Sequence, residues 1–119
     1  MRIEVFGVIP SKSNSYKMGR GNFYRDDKVG QYEIDFHLQT GQIPKMTFDK
    51  NADLYVSYEF YLKNMSQDAD NCEKTINDCL QKFNIISNDK KIIEHHAKKI
   101  SDKMNPRAII TIKEIENEG

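Results

Sequence analysis

Leu54 to Leu62 reads LYVSYEFYL, and Asp68 to Phe83 reads DADNCEKTINDCLQKF. The first stretch is dense in aromatic and β-favouring residues and predicts a strand over 54–62. The second places Cys72, Ile76, Cys79, Leu80 and Phe83 at steps of four, three, one and three. That spacing predicts an amphipathic helix over 71–83, with Asp70 as its N-cap. A strand running straight into an amphipathic helix points to an α/β (α+β) domain. Asp68 and Asp70 then fall just past the carboxyl end of a strand, where sites in open sheets tend to lie.

The flanks extend this frame. Arg2 to Ile9 alternates well enough for a first strand, with Ile3, Val5 and Gly7 on one face, and Pro10 stops it. Residues 10–25, rich in Ser, Asn and Gly, read as an irregular loop. Val29, Tyr32, Phe36 and Gln39 form a helical stripe over 28–39, which Gly41 ends. Residues 42–52 carry Pro44 and read as a second loop. Strands are predicted over 91–100 and 107–115, joined through the turn Met104-Asn105-Pro106. The element order is β-α-β-α-β-β: one domain over residues 1–119, a mixed sheet with two main helices packed on it.

Composition excludes several classes. Charged residues make up 30% of the chain, and Lys+Arg balances Asp+Glu at 18 each. No apolar run is long enough to span a bilayer, so no membrane partner is predicted. An acid interrupts the short apolar start, which is not a signal peptide. A net charge of zero gives no general attraction to nucleic acid, so any basic surface must come from local segregation. Cys72 and Cys79 are seven residues apart; on a helix that is roughly 10 Å, too far for a disulfide. They read as small core residues in a reducing compartment.

The chemistry concentrates in residues 68–89. Asp68 and Asp70, two apart in an extended segment, would point the same way and could face one hard cation. Lys74 follows Asp70 by one helical turn. Asp89 sits in the loop after the helix, and a short return is expected to carry it towards the first pair. Three carboxylates and an ammonium suit Mg²⁺ and a phosphodiester, because such ions activate water and steady an in-line displacement. Each part has a plainer explanation. Asp70 alone is usually a helix cap; Asp70 with Lys74 is usually an exposed pair worth ~0.3–0.5 kcal/mol. What lifts the set is the order D-x-D-N-x-x-K, amphipathic helix, then Asp at the next loop.

A surface for DNA can also be read. Residues 10–25 contain Lys12, Lys17, Arg20 and Arg25 and no acid, interleaved with Tyr16, Phe23 and Tyr24. Cations contact phosphates and exposed rings stack on unpaired bases. The plain alternative is a solvated loop whose rings tuck into the core. Lys90, Lys91, Lys98 and Lys99 form a second basic edge. His95 and His96 are strand neighbours facing opposite sides, so they do not read as a joint metal site. Tyr55, Tyr58, Phe60 and Tyr61 read as sheet core or dimer interface.

Asp68-Ala69-Asp70-Asn71-Cys72-Glu73-Lys74, with Asp78 and Leu80 in the helix and Asn88-Asp89 after it, resembles the RusA-type Holliday junction resolvases. Pro10-Ser11, Asn14 and Tyr24-Arg25 fit the same pattern. The resemblance implies a homodimeric, Mg²⁺- or Mn²⁺-dependent endonuclease of phage or prophage type, acting in the bacterial cytoplasm. It would nick opposed strands of a four-way DNA junction. The family's catalytic aspartates fall on Asp68, Asp70 and Asp89, its lysine on Lys74, and Asn14 joins the loop cations as a DNA contact. Where family members often carry a basic run before the first aspartate, this chain reads Lys63-Asn64-Met65-Ser66-Gln67. Rival readings are a junction-binding protein of the same fold without cleavage, and another D-x-D phosphotransfer enzyme.

Overall fold

The fold is organised around the strand predicted over 54–62. In the computed structural model, which describes residues 1–10, 16–19, 22–25 and 27–116, that strand alternates between fully buried and half-exposed positions along its whole length. Leu54, Val56, Tyr58, Phe60 and Leu62 point into the core; Tyr55, Ser57, Glu59 and Tyr61 face the other way. Period-2 burial is what a sheet with one covered face imposes on its central strand.

The elements are β1 (Arg2–Phe6), β2 (Tyr16–Gly19), β3 (Asn22–Arg25), α1 (Asp27–Thr40), β4 (Leu54–Leu62), α2 (Ala69–Lys82), a 3₁₀ turn (Asp89–Lys91), β5 (Ile92–Ser101) and β6 (Arg107–Glu114). Four strands form a mixed sheet in the order β1-β6-β4-β5; β4 and β5 run parallel, the other neighbours antiparallel. α2 is the crossover between the parallel pair, as a parallel connection requires. Tyr32 and Phe36 of α1 and Cys72, Ile76, Cys79 and Leu80 of α2 join the core face of β4 in one apolar cluster. Both helices therefore lie on one side of the sheet, and Lys82 pairs with Glu33 between them. On the opposite side cations cover the rings. The Arg107 guanidinium lies 3.7 Å above the Tyr61 ring and the Lys113 ammonium 4.9 Å above Tyr55.

The α+β class, the mixed sheet and its two helices agree with the sequence reading; the element order differs. Residues 16–19 and 22–25 form an antiparallel two-stranded sheet, Tyr16 opposite Arg25 and Gly19 opposite Asn22, where an irregular loop was expected. β1 ends at Phe6 rather than Ile9. The Gln39 side chain accepts from Phe6 N at 2.7 Å and donates to Phe6 O at 3.0 Å, occupying groups a longer strand would use. Gly7 then turns the chain at φ 122°, a conformation open to glycine. Cys72 and Cys79 are buried and unbridged, as expected.

The end of α2 is set by local chemistry. Asn84 N donates to Gln81 O at 3.2 Å and Ile85 N to Leu80 O at 2.9 Å, with Asn84 at φ 60°. This is a Schellman closure, and the buried Leu80–Ile85 pair supplies its apolar contact. Asn tolerates the left-handed conformation and β-branched residues do not. Asn84→Ile should cost about 1–2 kcal/mol in urea unfolding, whereas Asn84→Gly should leave stability equal or higher. Equal losses from both would mean that the backbone angle is not what Asn84 provides.

Candidate active site

α2 starts two residues earlier than predicted, and the cap is Asp68. Its backbone is extended (φ −74°, ψ 131°), its carboxylate accepts from Asp70 N at 2.9 Å, and its carbonyl accepts from Cys72 N at 3.1 Å. Asp70 therefore lies inside the first helical turn. The two acids do not alternate along an extended segment as expected; one caps the helix and the other rides on it. Both are exposed, and both sit where the helix dipole favours negative charge. Lys74, one turn on, is also exposed.

The segment that delivers Asp68 is braced from three sides. Lys99 Nζ donates to Met65 O at 3.0 Å and to Gln67 O at 3.1 Å. Gln67 Nε2 donates to Ile9 O at 2.6 Å, and Thr75 Oγ1 to Pro10 O at 3.2 Å. The chain leaving β1 towards β2 is thus pinned against the first turns of α2. Of the basic residues read from 10–25, Lys17 lies on β2 opposite Tyr24 and Arg25 on β3 opposite Tyr16. Lys12, Asn14 and Arg20 lie outside the described residues. In the second basic edge, Lys99 is committed to the loop carbonyls and Lys91 pairs with Asp53 at 3.4 Å, leaving Lys90 and Lys98 as exposed positions. Lys99→Met should lower thermal stability by only about 1 kcal/mol, because the freed carbonyls can meet water. If it carries Asp68, activity should fall further, by about tenfold. A loss of activity no larger than the loss of folded protein would remove Lys99 from the site's support.

Asp89 is elsewhere. It opens the 3₁₀ turn, exposed, and its backbone N donates to Gln81 Oε1 at 2.8 Å. Gln81 is eleven residues beyond Asp70, a rise of about 16 Å along the helix. The expected return towards Asp68 and Asp70 does not occur within one chain. Among the described residues no group of three or more His, Cys, Asp or Glu side chains is placed to hold a metal ion together.

Between the two acidic ends runs a polar stripe that the sequence reading passed over. Asp70, Glu73, Asn77 and Gln81 follow each other at steps of three, four and four, so they share a helix face. Glu73 Oε1 meets His95 Nδ1 on β5 at 2.9 Å; the Tyr58 hydroxyl donates to Asn77 Oδ1 at 2.6 Å. Burial first, then the nearby Glu73 carboxylate and more weakly Asp89, hold the Tyr58 phenol well above its ordinary range, against the Asn77 bond. Burial also pushes the Cys72 thiol up to about 11, so no thiolate nucleophile is available there at neutral pH. The spacing 73-77-81 among the apolar positions was the signal that could have revealed the stripe.

The family model for endodeoxyribonuclease RusA matches residues 6–113, nearly the whole chain and every residue of the candidate site, from the end of β1 to the last-but-one residue of β6. This chain belongs to the RusA family. Among curated proteins no sequence matches it closely. RusA-type proteins are Holliday junction resolvases, so membership makes this chain an endodeoxyribonuclease by family and branched DNA its class of substrate. RusA-type resolvases are generally divalent-metal dependent. Among the described residues no helix is long and apolar enough to cross a membrane.

Proposed function

We propose that this chain is a Mg²⁺-dependent resolvase that cuts four-way DNA junctions by paired nicks in opposed strands, as a homodimer, in recombination or phage DNA processing. Mn²⁺ is the natural substitute. The observation that carries the reading is the pair of exposed carboxylates at the braced start of α2, with Lys74 one turn away and the chain at Ile9 and Pro10 pinned against the same helix. The donor set is all carboxylate oxygen, which suits a hard cation that takes its remaining ligands from water and phosphate. Asp68 and Asp70 would hold the ion with Asp89, and when bound it supplies an activated water and charge neutralisation at the phosphate.

Asp89 joins the set from a second copy in this reading. The distance along α2 leaves the acids of one chain at opposite ends of the domain, and a two-fold dimer returns each Asp89 to the other chain's Asp68 and Asp70. The same two-fold matches paired cuts in a nearly symmetric junction. Lys74 offsets charge developing on the phosphate. Lys12, Asn14, Lys17, Arg20 and Arg25 contact the DNA backbone near the cut.

A side-by-side assay of four-way junctions, linear duplex and small phosphoesters with Mg²⁺ tests the reading. Junctions should be cut, with cleavage stopped by chelation. Binding of junctions without any cut under Mg²⁺ or Mn²⁺ would favour the silent binding protein, and cleavage of small phosphoesters alone would favour another phosphotransfer enzyme.

A further inference from the structure

Glu73 is an acid on the inner flank of an amphipathic helix, with its side chain only 12% exposed, and its carboxylate meets the ring of a histidine that is 55% exposed. A carboxylate so far withdrawn from water requires a partner. With Nδ1–H donated to Glu73 Oε1, the ring is held in one orientation and its other nitrogen, Nε2, is turned away from the carboxylate. β5 is the outer strand of the sheet, so no neighbouring strand crowds this ring. Glu73 is also three residues past Asp70 and next to Lys74 on α2, so the carboxylate of the pair stands within one helical turn of Asp70, while His95 lies opposite Val56, in the half of the sheet nearer Asp89. Titratable groups sharing its electrostatic surroundings include Tyr58 of β4, which also feels Asp89 of the 3₁₀ turn, and Cys72 of α2, which also feels Lys99 and Asp68.

We infer that His95, positioned by Glu73, is the proton donor to the leaving oxygen when the phosphodiester is cut. The inference rests on the nuclease reading above. Asp68, Asp70 and Asp89 are carboxylates suited to water and charge, and Lys74 to the developing anion; none of the four is an imidazole, the side chain most often used to pass a proton to a reacting group. In the step, the water oxygen bonds to phosphorus and the phosphorus–oxygen bond to the leaving sugar breaks. The leaving oxygen takes the proton from His95 Nε2 and departs as a hydroxyl. The attacking water gives up its proton to solvent, and the neutral imidazole is recharged from solvent. His95 is the catalytic residue in this account and Glu73 a positioning residue, holding the tautomer and steadying the imidazolium.

The test compares two junction substrates, one normal and one in which the leaving oxygen at the cut is replaced by sulfur, a leaving group that departs without protonation. His95→Ala should cut the normal junction about 10²-fold more slowly than wild type, with junction affinity retained. It should cut the sulfur substrate within about threefold of wild type. Glu73→Gln should fall between the two and move the alkaline limb of the kcat–pH profile, which a merely structural role would not move. Equal losses on both substrates, or a His95→Ala rate within about threefold of wild type on the normal junction, would overturn the inference. Wild-type protein is run on the same normal junction. If it cuts and His95→Ala cuts as well, the proton-donor role alone fails; if wild type does not cut, the nuclease reading fails and the role with it.

Discussion

Asp70→Asn should reduce Mg²⁺-dependent junction cleavage by about 10³-fold, roughly 4 kcal/mol of transition-state stabilisation, while junction binding stays within a fewfold of wild type. The substitution keeps shape and removes charge, so it strips a hard-cation ligand of the property that matters. It is also structurally quiet. The Asp70 side chain does not cap α2; the cap is Asp68, which accepts from Asp70 N. Only a favourable charge at the helix start is lost, about 0.3–1 kcal/mol at an exposed site. The same cannot be said of Asp68→Ala, which removes a ligand and a cap together and costs about 1 kcal/mol of stability through the cap alone. Asp68→Asn avoids that, because Asn caps as well as Asp. The informative pair is therefore Asp70→Asn and Asp68→Asn, each measured for cleavage, junction affinity and thermal unfolding. Retained cleavage in either would remove that carboxylate from the chemistry, and cleavage lost in proportion to unfolding would mean that the acids support the fold only.

β4 and α2 were legible because their periodicities are clean. Nine residues of β4 alternate without a break, and Cys72, Ile76, Cys79 and Leu80 are buried as their spacing requires. The start of α2 was misread by two residues because Asp68 and Asp70 are both good caps; the extended backbone at Asp68 decides between them, and one-letter codes do not carry it. The β2–β3 pairing was missed because only Arg20 and Gly21 separate two four-residue strands that are each too short to show a period. Glu73 was passed over for a different reason. An acid on a helix is normally read as solvated, and only the position of β5 beside α2 turns it towards His95.

The misplacement of Asp89 had a topological cause that the predicted order already contained. A helix linking two parallel strands carries the chain back to the edge where the first strand began. β5 pairs with β4 in parallel, with Ile92 opposite Leu54 and Ser101 opposite Leu62. A residue after the end of β4 and a residue before the start of β5 must then lie at opposite edges of the sheet. Nine residues of β4 separate those edges by about 26 Å. Asp68 and Asp70 belong to one edge and Asp89 to the other, as its bond to Gln81 at the far end of α2 records.

That separation makes the second large effect a matter of mixing two dead proteins. Asp70→Asn and Asp89→Asn should each be inactive alone. Co-expressed with different tags and purified through both, they form a mixed dimer. If each site draws Asp68 and Asp70 from one chain and Asp89 from the other, the mixed dimer has one site with both lesions and one with none. Nicking should then return to about half of the wild-type rate per dimer, always without a paired second cut. An unselected equimolar mixture should recover about a quarter, since half of its dimers are mixed and each carries one intact site of two. If instead every site is assembled within one chain, each half of the mixed dimer is broken and no activity returns. The outcome is nearly all-or-none, and it is insensitive to small differences in stability because both variants are exposed, charge-only changes. A mixed dimer as inactive as its parents would place all three aspartates' function within a single chain and would require α2 or the Asp89 turn to move by more than the length of two helical turns. Recovered single nicking would tie the homodimer to the chemistry itself: one protein chain would carry most of a site and none of them a whole one.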